Sequence, residues 1–409
     1  MFQQTLQLYK NSFSGLSRDI WLLALVFFVN RAGAMVIPFM TVFLISERNF
    51  SLAQAGIVMS CFGIGSVLGS YLGGQLTDRI GYYKVQLGAL IGTGLIFFCL
   101  MQMQEFYAMC IAIFTLSTVA DTFRPASHTS VAYYSTPENL TRSYALLRLA
   151  VNLGFAAGPA MGGLLAITLG YDWLFVIDGI TCLAAAVLLW FFLTPRKEKL
   201  AGNLTKDEKL ERSNTSPYRD KHFLLFILFI SLSALTFMQF FTVLPVFMKQ
   251  EMGLNELQIG LVVTINGIMI FILEMPLVYA MEKQYSRLTN VAIGVLLTGV
   301  SFLLLPMAQQ WIIVPILFIV ILTFGEMLSM PFSSSFAMER ASPLKRGEYM
   351  GLFSMGFSTS LILAPTLGMQ LAENFGYDAL WLFVGGISII ATFGLIALEK
   401  QMKRSHQAI

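Results

Sequence analysis

The residues here whose types and spacing could do chemistry are ionisable side chains set inside long apolar runs. Asp121 and Arg124 lie three apart in the run 106–131, and Ser117 and His128 share their i, i+4, i+7, i+11 spacing, which is one face of a helix. Asp121 and Arg124 can pair at i, i+3, and Arg31 in the first apolar run is another partner at similar depth. Such a stripe either holds a static ion-pair network or lines a wet cavity; an ionisable group in a membrane usually marks function. The second half contributes Glu274 and Glu326, with no Lys or Arg inside its apolar runs. Desolvation without a neighbouring cation favours the neutral acid, and a carboxyl that gains and loses a proton can couple that proton to another solute. Glu326, near the middle of its run and sharing a face with Ser333, is the expected principal proton carrier. Glu274 is the second and Asp121 the N-terminal counterpart. Glu274 precedes Pro276, so a hydrogen bond to freed backbone is its alternative role.

Other chemistries find no support. HExxH, GxSxG and GxxxxGK[ST] are absent, so neither a zincin, a serine hydrolase elbow nor a nucleotide loop is signalled. Cys61, Cys99, Cys110 and Cys182 all lie in apolar runs without CxxC or Cys/His spacing, which argues against a disulfide framework or a metal site. No enzyme, metal or cofactor is expected; without a nucleotide loop, an ion gradient (a proton gradient first) or facilitated diffusion is left to drive transport. The net charge of +3 comes without a continuous basic face or nucleic-acid motif, so no nucleic-acid partner is expected.

The elements that must position these groups follow from composition. Of 409 residues, 56% are hydrophobic and 12% charged, against about a quarter charged in soluble proteins. Runs long enough to cross a hydrocarbon core of about 30 Å need roughly 20 apolar residues. Twelve occur, near 20–45, 53–76, 85–103, 106–131, 143–168, 172–194, 222–248, 256–281, 288–308, 311–336, 347–371 and 378–399, with Ser51 and Asn255 as N-caps before the second and eighth. The first run is too long, and preceded by too much polar sequence, for a cleaved signal peptide. With both termini cytoplasmic, alternate loops divide Lys and Arg 21 inside to 2 outside (Arg48 and Lys249), leaving Arg31, Arg124 and Arg148 within spans.

The halves repeat at an offset of about 204–207 residues. Leu52–Gly56 answers Glu256–Gly260, Pro38 answers Pro245, the stretch 157–162 answers 363–368, and Leu-Gly-Tyr-Asp at 169–172 answers Phe-Gly-Tyr-Asp at 375–378. The domain plan is therefore a cytoplasmic segment 1–19, a six-helix bundle 20–194, a polar cytoplasmic linker 195–221, a second bundle 222–399 and a cytoplasmic tail 400–409. Transporters of this design bind substrate between the repeats near the midplane. Asn30, Arg31, Arg124, Arg148, Asn152, Gln239 and Asn266 are the expected cavity residues. Asp178 is expected to be a structural hydrogen bonder close to the outer surface.

Gly74-Gln-Leu-Thr-Asp78-Arg79-Ile-Gly81-Tyr-Tyr-Lys84 resembles the signature loop of the major facilitator superfamily. The resemblance covers the whole chain, because span count, linker and repeat agree. It implies an all-α membrane fold of two pseudo-symmetric six-helix bundles and a gating loop in which Asp78 latches the cytoplasmic side. Tyr82 stands where that family often has a basic residue. Gly154-Phe-Ala-Ala-Gly158-Pro159-Ala-Met-Gly162-Gly163 resembles the glycine-proline motif of the superfamily's proton-coupled exporters; glycines every fourth residue also make a smooth packing face. Arg124 resembles the mid-span arginine of their fourth helix, although His128 replaces the usual glycine. The resemblance is to bacterial twelve-span drug/proton antiporters. It implies a monomer in a bacterial cytoplasmic membrane that exports amphipathic small molecules or drugs by proton antiport. A carrier of a defined sugar, short peptide or organic anion is the main alternative, since Asn30, Arg31, Arg124 and Arg148 suit an anionic or polyhydroxylated ligand. A non-transporting receptor is the remote one.

Overall fold

In the computed structural model of the chain, residues 2–196, 205, 215–254, 256–308 and 313–407 are described. Asn255 and most of the linker lie outside them. The first helices are α1 (Phe2–Phe13), α2 (Arg18–Ala32), α3 (Val36–Ser46), α4 (Leu52–Ile80), α5 (Tyr82–Leu100), α6 (Phe106–Tyr134), α7 (Leu140–Thr168) and α8 (Asp172–Phe192). The second set is α9 (Lys221–Thr242), α10 (Leu244–Gln250), α11 (Glu256–Met281), α12 (Arg287–Leu304), α13 (Val314–Arg340) and α14 (Arg346–Gln407). Ten stretches are long and apolar enough to cross a membrane. One of these is α14, which is two helices in sequence because Gly376 has φ 83°, ψ 165°, a conformation open to glycine. With that break, and with the 29-residue α7, the described helices are consistent with twelve spans.

Two spans are broken. The first is α2 and α3 separated at Gly33–Met35; the seventh is α9 and α10 separated at Val243. Pro38 and Pro245 each fall in the first turn after the break, where a missing N–H costs nothing because first-turn amides have no intrahelical acceptor. The N-terminal stretch, expected to be merely polar, forms the amphipathic helix α1, which packs on α11.

The chain divides into two compact units. The N-terminal unit comprises Gly15–Pro217 and Ala341–Ser358; the C-terminal unit comprises the residues up to Ser14, Tyr218–Arg340, and the chain from Thr359 onward. Each unit is tied in the same manner. Ser17 caps α2 (Ile20 N–H donates to its Oγ, 3.3 Å) and donates to the carbonyl of Tyr134 at the end of α6, 2.7 Å. Asp220 caps α9 (Phe223 N–H, 3.1 Å) and takes the Arg340 guanidinium at the end of α13 at 2.7 and 3.0 Å. Ser51 and Gln54 close a capping box on α4.

Water drives no helix association inside lipid, so close packing must do it, and small residues allow it. Gly65, Gly69 and Gly73 of α4 lie against Ser117, Thr118 and Thr122 of α6; a Cβ on Gly73 would come within 2.6 Å of Thr122 Cα. In the C-terminal unit Gly294 of α12 and Gly325 of α13 cross with equal intimacy. Aromatic edge contacts fill the rest of that core: Phe302 meets Phe318 at 5.2 Å and Phe247 meets Trp381 at 5.3 Å between centroids. Large apolar side chains such as Tyr107, Ile167, Phe191 and Phe393 are left on the outside, as a lipid-facing surface requires.

Candidate functional site

The break in the first span builds the polar interior of the N-terminal unit. Unwinding at Gly33–Met35 leaves the first amides of α3 without acceptors, and the buried carboxylate of Asp178 on α8 takes them. Met35 N–H donates to Oδ1 (3.0 Å) and Oδ2 (3.3 Å), and Val36 N–H donates to Oδ2 (3.0 Å). A negative charge at a helix N-terminus is favoured. Asp178 thus holds the broken helix open, and it lines the interior. Gly33 backs directly onto Thr181 of the same helix.

Beside this break lies a cavity of about 120 Å³ lined by residues of α2, α3, α4, α5, α6 and α8. Its polar lining is Asn30, Arg31, Thr93, Asp121, Arg124 and Asp178, and its apolar wall includes Ile37, Phe62, Phe97 and Phe123. Arg124 Nε bonds Asp121 Oδ1 at 2.9 Å; Asp121 is only 7% exposed. Asn30 donates to Cys182 Sγ, 3.4 Å. Arg31 places its guanidinium over the ring of Phe155, 5.3 Å, and its buried Nε has no hydrogen-bond partner among the described residues. The structure therefore brings Asn30, Arg31, Asp121 and Arg124 together. The expected stripe on α6 divides: Ser117 faces Gly65 of α4, and His128 packs its ring on Tyr144 (5.4 Å) and Phe353 (5.9 Å). Periodicity gives a shared face but not its neighbours. Arg148 and Asn152 on α7 are partly buried and do not line this cavity.

In the C-terminal unit Glu326 on α13 is 5% exposed. Its Oε2 accepts from Asn266 Nδ2 on α11 at 3.0 Å, and the same amide reaches Thr323 Oγ1 at 3.0 Å. Glu274, also on α11, is wholly buried. Gln239 is buried too, its Nε2 donating to the carbonyl of Ala364 at 3.0 Å and its Oε1 abutting Gly368. It binds α9 to α14 and does not meet Asn266 and Glu326 in any described contact. Among the described residues no group of three or more His, Cys, Asp or Glu is placed to hold a metal ion.

The loop between α4 and α5 is a single residue, Gly81, at φ 97°. Asp78 takes two amides at the start of α14: Gly347 N–H at 2.7 Å and Glu348 N–H at 3.0 Å. This approach needs glycine on both sides, since a Cβ on Gly74 would lie 2.6 Å from Gly347 O and 3.0 Å from Gly351 Cα. Arg79 and Lys84 point outward and are exposed. Tyr82, in the place of a basic residue, is buried and stacks on Tyr133 (5.0 Å, 20° between planes), and Arg346 lies over the same Tyr133 ring at 4.9 Å. The Tyr82 hydroxyl accepts from the backbone N–H of Arg196, 3.0 Å, while the Arg196 guanidinium meets Asp19 at 2.8 Å. The cation missing from the loop is supplied by α14 instead, with an aromatic ring as its partner.

The glycines of α7 pack on the broken span. A Cβ on Gly154 would come within 2.6 Å of Arg31 Cβ and 2.9 Å of Ala32 N, Gly158 faces the carbonyl of Ala34, and Gly162 and Gly163 face Met35 and Phe39. The Pro159 side chain lies outside the described ones. Sequence reasoning missed three contributors: Thr93, Cys182, and the glycine stripe of α4. The four-residue spacing of Gly65, Gly69 and Gly73 was the available signal for the last.

The profile of the Major Facilitator Superfamily matches residues 21–257 and 226–407. The MFS-type transporter YttB of Bacillus subtilis (strain 168) is 26% identical, covering 95% of this chain and 97% of that protein. A Na(+), Li(+), K(+)/H(+) antiporter of Planococcus maritimus is 23% identical, covering 90% and 92%. The crystal structure of the human organic anion transporter MFSD10 (TETRAN) superposes with a TM-score of 0.75 at 17% identity, covering 92% of this chain and 99% of that one.

Proposed function

We propose that this chain, which belongs to the Major Facilitator Superfamily, is a proton-coupled antiporter that exports amphipathic small molecules by alternating access. Its being a multi-pass membrane transporter, not an enzyme, follows from the family. The finer reading is supported above all by Glu326, a carboxyl buried inside the C-terminal bundle whose observed handle is the Asn266 amide. An amide nitrogen can donate to the carboxylate, and the site offers nearby oxygen at Thr323. Glu274 is the second proton group. The relative from Planococcus maritimus, an antiporter by name, supports exchange against protons.

The Lys and Arg distribution supports both termini being cytoplasmic and a bacterial inner-membrane location. In that orientation the Asp78 contact with Gly347 and Glu348 is a cytoplasmic latch: the start of α14 must leave Asp78 for that side to open. The test is flux in proteoliposomes with an imposed pH gradient. Glu326→Gln is expected to lose gradient-driven transport; unchanged pH-driven efflux in that variant removes Glu326 from the coupling role. A second reading, carriage of a defined organic anion, is favoured by one observation, the buried Arg31 Nε without a hydrogen-bond partner among the described residues.

A further inference from the structure

We infer that the cavity of the N-terminal unit is a subsite for the acidic group, a carboxylate or sulfonate, of an amphipathic cargo molecule. The inference rests on the transporter reading above and names the class of substrate for it.

Donors outnumber engaged partners around this one space. Three of the four carboxylate oxygens are engaged. Both oxygens of Asp178 hold the amides of Met35 and Val36, and Asp121 Oδ1 holds Arg124. Asn30 has directed its amide at Cys182. What is left over can donate. Arg31 Nε is buried with no hydrogen-bond partner among the described residues, and neither has Thr93 Oγ1, whose residue is 7% exposed. Both residues line the cavity. A buried donor without a partner costs about 1–3 kcal/mol, more when charged, so an occupant that accepts hydrogen bonds is favoured there.

Charge selects among such occupants. Asp178 is matched by the α3 N-terminus and Asp121 is hydrogen-bonded to Arg124, whereas Arg31 rests on the Phe155 face and shares the single charge of Asp121 with Arg124. A cationic group would meet two guanidinium ions. An anion brings the neutralising charge, and planar oxyanions match the guanidinium fork. The remaining wall is apolar, with Ile37, Phe62, Phe97 and Phe123, so the acidic group is carried on an apolar body. A volume of about 120 Å³ admits the acidic end and its first attached atoms.

The test uses the purified full chain in lipid nanodiscs and three probes of one size: 2-naphthoate, 2-naphthylmethanol and 2-naphthylmethylammonium. Binding is read by equilibrium dialysis, with empty nanodiscs subtracted to remove partition into lipid. The wild type is expected to bind naphthoate at least tenfold more tightly than either other probe. Arg31→Gln should abolish that preference, Arg31→Lys should restore part of it, and Thr93→Val should weaken naphthoate a few-fold. Equal binding of all three probes, or a naphthoate preference that survives in Arg31→Gln, overturns the subsite. If Arg31→Gln does not fold, Arg31→Lys and Thr93→Val decide, because an undiminished preference in both contradicts the assignment. The two proposals fail separately. Naphthoate binding without pH-driven flux sinks the coupling scheme alone; pH-driven flux of the neutral or cationic probe without naphthoate preference sinks the subsite alone.

Discussion

Replacing Asp78 by Asn tests the latch with a readout confined to two amides. Gly347 and Glu348 stand in the first turn of α14, where backbone N–H groups have no intrahelical acceptor; the first regular bond of the helix is Tyr349 N–H to the Lys345 carbonyl at 3.0 Å. Their hydrogen bonds at 2.7 and 3.0 Å both end on the Asp78 carboxylate. Bonds to a charged acceptor contribute about 1.5–3 kcal/mol, against about 0.5–1.5 for neutral ones. Asn keeps one acceptor oxygen and turns an NH₂ toward the other amide. Losing the charge from one bond (about 1–1.5 kcal/mol) and all of the second (about 1.5–3 kcal/mol) costs roughly 2.5–4.5 kcal/mol on these figures, which is roughly a 60- to 1,600-fold shift toward the undocked segment. Hydrogen exchange, read by mass spectrometry on peptides covering 341–358, reports that equilibrium. Exchange of Gly347 and Glu348 should accelerate by about that factor, while peptides from α7 stay unchanged. Unaltered protection of the two amides would refute the assignment of their stability to Asp78.

Four further outcomes follow from local packing and hydrogen bonding. Tyr82→Phe removes the acceptor of the Arg196 amide, a loss of about 0.5–1.5 kcal/mol, so tryptic cleavage after Arg196, mapped by mass spectrometry, should rise roughly twofold to tenfold. Gly154→Ala drives a methyl into Arg31 Cβ and the Ala32 amide and should lower thermal stability by about 1–3 kcal/mol. Gly260→Ala on α11, where a Cβ meets nothing within 4 Å, should not destabilise the protein. Asp178→Asn weakens the cap on Met35 and Val36 by about 1.5–3 kcal/mol, and exchange of those two amides should speed up while the ends of α8 stay protected.

The spans could be read from the sequence because their signal is length and apolarity, which need no knowledge of neighbours. The repeat was legible as well, and it held more than was taken from it. Pro38 and Pro245 were matched across the halves, and each follows the point where a span divides into two helices: an interruption at Gly33–Met35, and a one-residue division at Val243, whose backbone stays in the α region. Paired interruptions at corresponding positions are the sequence mark of a site between or within repeats. The chemistry at Asp178 was beyond reach, because which carboxylate caps a break depends on the rotation of α8 against α3. The same limit explains Ser117: its spacing from Asp121 puts both on one side of α6, but a helix stripe about 100° wide can face two neighbours, here Gly65 of α4 and the cavity. Tyr82 shows the converse. Arg346 arrives from elsewhere in the chain to rest on Tyr133, the ring on which Tyr82 stacks, a neighbourhood visible only in three dimensions.

Proton movement itself is the most direct check on the coupling scheme. A pH-sensitive dye sealed inside proteoliposomes should report a proton flux opposite to cargo whenever an outward cargo gradient is imposed on the wild type. Glu326→Gln should carry cargo-for-cargo exchange with no dye response. A dye response in Glu326→Gln equal to that of the wild type would contradict the account, since the buried carboxyl would then not be carrying the proton.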